Sequence, residues 1–261
     1  DKPVQPLEVL YAGAYVQDEW NVRDNLKITA GLRFDVPRFG ETGYQNPLAD
    51  ALAFRDETGN TVQYSTAKLP DPNILWSPRV GFNWAVDKDR RTQVRGGTGV
   101  FTGRPAYVWI SNQIGNTGVL TSFEELNNTS ARPFNPNPNA YKPTNVTGAP
   151  ASSYELALTD PDFRFPQIWR SNVALDQRLW GGLIGTVEYI YNADVNGVYY
   201  INANLPAPQA AFAGVDARPR WTNNRIYSNI SNAVVLKNQN VGSSWNLATT
   251  LARNFSGGFV K

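Results

Sequence analysis

From Leu10 onward the chain alternates: Leu10, Ala12, Ala14, Val16 and Trp20 are apolar, and Tyr11, Gly13, Tyr15, Gln17 and Glu19 stand opposite them. After the short turn NVRDN the pattern returns in LKITAGLRFD. Here Leu26, Ile28, Ala30, Leu32 and Phe34 interleave with Lys27, Thr29, Gly31, Arg33 and Asp35. A period of two is that of a strand with one apolar and one polar face. The two segments therefore predict an antiparallel hairpin.

Two further pairs follow. In SPRVGFNWAVD, Val80, Phe82, Trp84 and Val86 oppose Arg79, Gly81, Asn83 and Asp87; beyond the turn KDRR, TQVRGGTGVFTGR sets Gln93, Arg95, Gly97 and Gly99 against Val94, Thr98 and Val100. Around the turn WGG, Trp169, Val173, Leu175 and Leu179 oppose Arg170, Asn172, Asp176 and Arg178. On the return, Val187 and Tyr189 oppose Thr186 and Glu188, and Ile190 breaks the alternation. Later come RIYSNISNAVVLKN, the turn QNVGS, SWNLATTLARNF, the turn SGG and FVK, which has the look of a further strand opening. Long segments rich in Pro and Asn, near 38–77, 104–166 and 195–224, separate the pairs.

Such a face pattern has two readings. In a soluble sheet the apolar face points into the core; in a membrane barrel it meets lipid and the polar face lines the lumen. The alternation of tight turns with long loops, around strands of about ten residues, is that of transmembrane barrels, with short periplasmic turns and long extracellular loops. Aromatics near strand ends (Trp20, Phe34, Trp84, Phe101, Trp169, Tyr189, Trp245, Phe255) suit an interfacial girdle or, equally, a soluble core. Two short connections in succession, QNVGS and SGG, break the alternation. Residues 225–237 are therefore expected to form an extracellular ribbon or strand extension, which leaves about seven to eight spanning strands.

Composition narrows the function. The 261 residues carry 18% charged side chains and a formal net charge of +2, without the concentrated basic footprint of a nucleic-acid binder. There is no Cys, His or Met. That removes disulfides, thiolate metal sites and the commonest general base, so no enzyme and no cofactor are expected. No run of about 18 apolar residues offers a transmembrane helix. A chain of this length that opens on Asp1 and lacks Met is expected to be processed or part of a longer polypeptide.

The wording of the strands adds a family. YAGAYVQDEWNVRDNLKITAGLRFD resembles the barrel of TonB-dependent outer-membrane transporters, where a Tyr-x-Gln-Asp-x-Trp strand, a turn and a Gly-Leu-Arg-x-Asp strand recur. SPRVGFNWAVDKDRRTQVRGGTGVFTGRP is similar to the following hairpin. NVGSSWNLATTLARNFSGG is similar to a later hairpin of the Oar-like branch, with Trp245 in place of a Tyr and Asn254 where Arg is usual. The resemblance covers most of the chain outside its long loops. It implies a 22-stranded barrel in the outer membrane of a Gram-negative bacterium, a plug domain in its lumen, an inner-membrane energy-transducing partner and a large substrate. No plug is visible in these residues. The fold expectation is thus all-β: part of an antiparallel transmembrane barrel, left with two open edges unless other segments complete it.

Candidate chemistry is sparse. RGGTGVFTG lacks the Gly-Lys-Ser/Thr of a phosphate loop and sits in a strand, which points to close backbone packing or a bulge. Asp87, Asp89, Asp160 and Asp162 suit calcium or, better, turn chemistry. On the polar faces Lys27, Arg33, Asp35, Arg79, Arg95, Arg170, Asp176, Arg178 and Glu188 are expected to line the lumen, chiefly pairing with one another and with the plug. In the loops Tyr107, Trp109, Tyr141 and Trp221 are candidates for stacking on a captured ligand or on one another. Two rivals stay open at this stage: a passive pore or adhesion barrel, and a soluble β-sandwich that binds glycans.

Overall fold

The computed structural model describes residues 7–40, 44–121, 126, 129–142 and 151–253. The expected SGG turn, the strand at FVK, Asn254 and Phe255 lie outside the described residues. In chain order the strands are β1 (Val9–Arg23), β2 (Leu26–Phe39), β3 (Phe54–Arg55), β4 (Thr61–Val62), β5 (Leu75–Ala85), β6 (Thr92–Thr102), β7 (Tyr154–Thr159), β8 (Gln167–Arg178), β9 (Leu183–Asp194), β10 (Gly197–Asn202), β11 (Ala210–Ala211), β12 (Pro219–Arg220), β13 (Ile230–Gln239) and β14 (Ser243–Arg253). Two short helices interrupt them, α1 (Pro47–Asp50) and α2 (Val108–Gly115).

The alternating segments form one wall. Seven strands lie in the order β1-β2-β5-β6-β8-β9-β14, every neighbouring pair antiparallel. At one end the connections are tight. Only Asp24 and Asn25 separate β1 from β2. Between β5 and β6 the Asp87 carboxylate accepts the Arg91 and Thr92 N–H groups at 2.7 and 2.8 Å, and Arg90 takes the left-handed region (φ 51°). Between β8 and β9 a single 3-10 turn places Gly181 and Gly182 at positive φ. The other end of the wall carries the long segments.

Register sorts the side chains as the alternation requires. Trp20, Ile28, Phe82, Gly96, Val173, Tyr189 and Leu247 form one cross-strand row of the apolar face. That face is bare: Leu32 is 42% exposed, Val80 46% and Leu251 65%. A β-sandwich would cover these residues with a second sheet, so the sandwich alternative is ruled out. The wall is part of a β-barrel whose two outer strands, β1 and β14, have no strand beyond them among the described residues. Two details sharpen the expectation: of close backbone packing or a bulge at the glycine-rich segment, the first is found. The glycine-rich β6 pairs continuously with both neighbours, with no bulge, and Phe101 lies on the polar face, not in an outer girdle.

The hydrophobic core belongs to the loops. A three-stranded sheet, β10-β13-β7, with β13 and β7 parallel, holds Tyr154, Leu156, Leu158, Ile230 and Val235 against Phe54 and Tyr64 of the first long segment. Residues 230–239 thus join this sheet and not the wall. A second cluster, Leu69, Leu75, Ile110, Phe163, Phe165 and Leu236, packs on Tyr11 and Phe39 of the wall. Phe165 stands 6.0 Å, ring to ring, from both. The long segments therefore fold into a cap on the loop end of β1, β2 and β5.

Candidate functional site

The polar face of the wall gathers the charged candidates. Lys27 and Glu19 pair at 2.8 Å across β1 and β2, both about half exposed. Near the cap, Arg33 grips Asp35 through two hydrogen bonds of 2.8 and 2.6 Å. The Asp35 side chain is fully buried, and it occupies the space above Gly13, where a Cβ would collide with its Oδ1. A bidentate, charge-assisted pair compensates that burial.

A larger network spans β6, β8 and β9. Arg95 donates from Nε to Asp176 at 2.9 Å and reaches Glu188 at 3.9 Å. Thr186 donates to Asp176 at 2.6 Å and the Asn172 amide to Glu188 at 3.1 Å. Ala174 pairs in register with both Arg95 and Glu188 and is buried between them. The small side chain leaves the Arg95 fork room to cross.

Arg79 and Arg170 behave differently. Both pair in register with Gly99, one from each side. The Arg79 stem lies across Gly99, and its guanidinium sits 4.5 Å from the centre of the Phe101 ring. Arg170 donates from Nε to Asn192 Oδ1 at 2.7 Å. Among the described residues neither forms a salt bridge. Beside them Gly31, Gly81 and Gly97 floor a depression of about 210 Å³ on the same face, rimmed by Gln17 and Asn172. An adjoining hollow of about 410 Å³ continues toward Tyr11, Arg33 and Arg104. Arg178 is exposed at the turn end of β8, remote from this group.

In the cap the four loop aromatics do not converge. Tyr107 packs on Phe165 at 6.3 Å, within the core cluster. Trp109 meets Tyr200 edge-on at 6.4 Å. The Tyr141 hydroxyl donates to Pro133 O and the Trp221 indole to Pro206 O. The candidate calcium ligands serve as turn and ion-pair groups: Asp160 accepts the Asp162 N–H at 2.9 Å and pairs with Lys237 at 3.1 Å. No group of three metal-ligating side chains occurs among the described residues.

One ion cluster of the cap is not foreseen as such in the sequence, although its Asp160 is singled out there as a turn or calcium candidate. Lys237 on β13 bridges Glu57 at 3.0 Å and Asp160 at 3.1 Å with its side chain 15% exposed. Burial disfavours the ammonium, yet the hydrogen bonds it donates to Glu57 and Asp160 outweigh that and raise the Lys237 pKa above its usual range. Burial also opposes the Glu57 charge, but its own backbone N–H and Lys237 pull its pKa below the ordinary carboxyl value. Alongside, burial pushes the Tyr64 phenol up to about 12. In the β3–β4 turn burial opposes the Asp56 charge, but the hydrogen bonds donated by Thr58 and Asn60 together outweigh it and bring Asp56 to about 2. The nearest sequence cue was Lys237 itself, a charge at the end of the apolar run AVVL; its partners come from two other segments.

Solved structures similar to this wall include the copper transporter OprC (TM-score 0.46, 10% identity), the FrpB iron transporter from Neisseria meningitidis (0.43, 12%) and the siderophore receptor PirA from Pseudomonas aeruginosa (0.42, 13%). They cover 94%, 94% and 92% of this chain, which spans only 26%, 24% and 30% of theirs. No curated protein matches the chain. A family model described as an outer membrane beta barrel domain matches residues 3–260. With a wall of two-faced antiparallel strands and a bare apolar side, the chain belongs to the outer membrane beta barrel domain family and forms part of a barrel in the bacterial outer membrane.

Proposed function

We propose that this chain is a barrel segment of a TonB-dependent transporter of the Oar-like branch, which moves a large substrate across the outer membrane through a plug-gated lumen. The observation that carries the reading is the division of the wall. Its apolar face is uncovered and suits lipid, while its ionic face pairs internally and suits an enclosed aqueous or plug-filled space. The three hairpin motifs quoted above supply the transporter and branch assignment. In this arrangement the cap is extracellular, and its exposed top, including the Trp109–Tyr200 pair, is the surface that first meets the substrate. Remaining strands of the full-length polypeptide close the barrel, since unpaired strand edges are not tolerated in hydrocarbon. The plug occupies the lumen, and an energy-transducing complex releases it; the chain performs no covalent chemistry.

Conductance of the full-length protein in a planar bilayer tests this. A plug-gated transporter should stay closed and begin to conduct only when a mild denaturant dislodges the plug. Conduction on insertion, without denaturant, identifies a passive pore and overturns the reading.

A further inference from the structure

Apart from Arg178 at the turn end and Asp194 at the loop end, the charges on the ionic face of the wall are matched except at one place. Glu19, Asp35, Asp176 and Glu188 are all engaged by Lys27, Arg33 or Arg95. Arg79 and Arg170 have no carboxylate partner among the described residues, and they flank the same residue, Gly99. Neighbouring strands lie about 4.8 Å apart. The two arginine Cα atoms are therefore about 10 Å apart across Gly99, close enough for both guanidiniums to reach one anionic group. Their present contacts, a ring face for Arg79 and an amide oxygen for Arg170, leave most of their ten N–H donors for an incoming acceptor.

The floor beside them defines the shape of the partner. Gly81 and Gly97 pair across β5 and β6, and with Gly31 they leave no side chain standing in the depression of about 210 Å³. A small anion needs no such clearing. Glycines within strands mark places where another backbone comes close, and two unpaired arginines in a shallow trough call for a carboxylate carried on that backbone.

We propose that Arg79 and Arg170 form a clasp for an Asp or Glu side chain on a plug segment of the same full-length polypeptide, whose backbone lies in the trough over Gly81 and Gly97. This rests on the plug-gated reading above. The clasp is a latch: the segment is held to this wall by two charge-assisted contacts, and its release exposes both arginines to the lumen.

The test is photo-cross-linking in the full-length protein in outer membranes, with p-benzoyl-phenylalanine replacing Thr29 beside the trough or, as a control, Thr250 on the polar face of β14. The Thr29 probe should capture a peptide of the same polypeptide that carries an acidic residue. Its yield should fall about tenfold in the Arg79→Gln/Arg170→Gln double variant, while the Thr250 yield stays unchanged. Exchanging the captured acidic residue for Lys should lower the yield, and adding Arg79→Glu to that variant should restore it; this rescue decides the matter if the double variant fails to insert. Capture of a peptide without an acidic residue, or a yield that neither variant set alters, overturns the clasp and leaves the plug in place. Failure of both probes to capture any polypeptide overturns the clasp together with the plug-gated reading.

Discussion

At the scale of single residues, glycine on this wall is decided by what lies opposite. A Cβ on Gly96 would stand 2.6 Å from the Asn172 carbonyl oxygen and 3.0 Å from the Phe82 ring, which covers the glycine across the strand pair. A Cβ on Gly81 would meet only the Gly96 carbonyl, at 3.4 Å. Backbone cannot yield as a flexible side chain does, so Gly96→Ala should cost about 1–3 kcal/mol by overpacking. Within the wall Gly81→Ala should be nearly neutral or slightly stabilising, because it also reduces the freedom of the unfolded chain, and any cost it carries comes from a segment seated in the trough above it. Urea-unfolding midpoints of the full-length protein refolded into lipid vesicles separate the two; equal shifts would mean that the close approach at Gly96 is not felt.

At the scale of the strand, one register offset decides whether a charge is tolerated. Val80 lies mid-strand on the bare face of β5, and Asn246 lies on the polar face of β14. Val80→Arg should cost about 2–4 kcal/mol, the penalty for a cation facing lipid near the midplane. Asn246→Arg should cost far less, since it adds a charge to a face that already carries them. The same vesicle assay measures both, and a tolerated Val80→Arg would contradict the lipid-facing assignment. Surface pairs such as Lys27–Glu19 contribute little by comparison, being half exposed and screened by salt.

At the scale of the whole molecule, the wall and the cap answer differently to pH. The cap is held partly by Lys237 between Glu57 and Asp160 and by the Asp56 turn. Glu57 and Asp56 have folded pKa values below their unfolded ones. Their stabilisation is present above about pH 4 and is lost as pH falls through the folded values. Lys237 is shifted upward, so its contribution is complete below its unfolded value of about 10.4 and fades only in strong alkali. The cap should therefore hold from about pH 5 to 10 and loosen below about pH 4. Hydrogen exchange should show cap amides losing protection while the wall keeps its own. Lys237→Met, which leaves two carboxylates facing each other, should cost about 1–3 kcal/mol and loosen the cap even at neutral pH. Cap protection that is flat with pH would remove the ion cluster from its stability.

The sequence alone determined the three hairpins of the wall and the two faces of their strands. A period of two fixes which residues share a face, and tight turns fix the three hairpins, so the hairpin partners and the grouping of Arg33, Arg79, Arg95 and Arg170 on one face were legible, whereas the bare apolar side and the order of the hairpins in the wall came from the assembled sheet. Both signals are local, written within a few residues of each other. The cap was not legible, because Tyr154, Leu156 and Leu158 find their partners in Phe54, Ile230 and Val235, and no short-range period records a parallel pairing between distant segments. Nor did the sequence say which charges pair. Arg95 takes Asp176 and Glu188 because Ala174 between them is small, while Arg79 and Arg170 stand apart over Gly99. That choice depends on distances across three strands, which exist only once the sheet has formed.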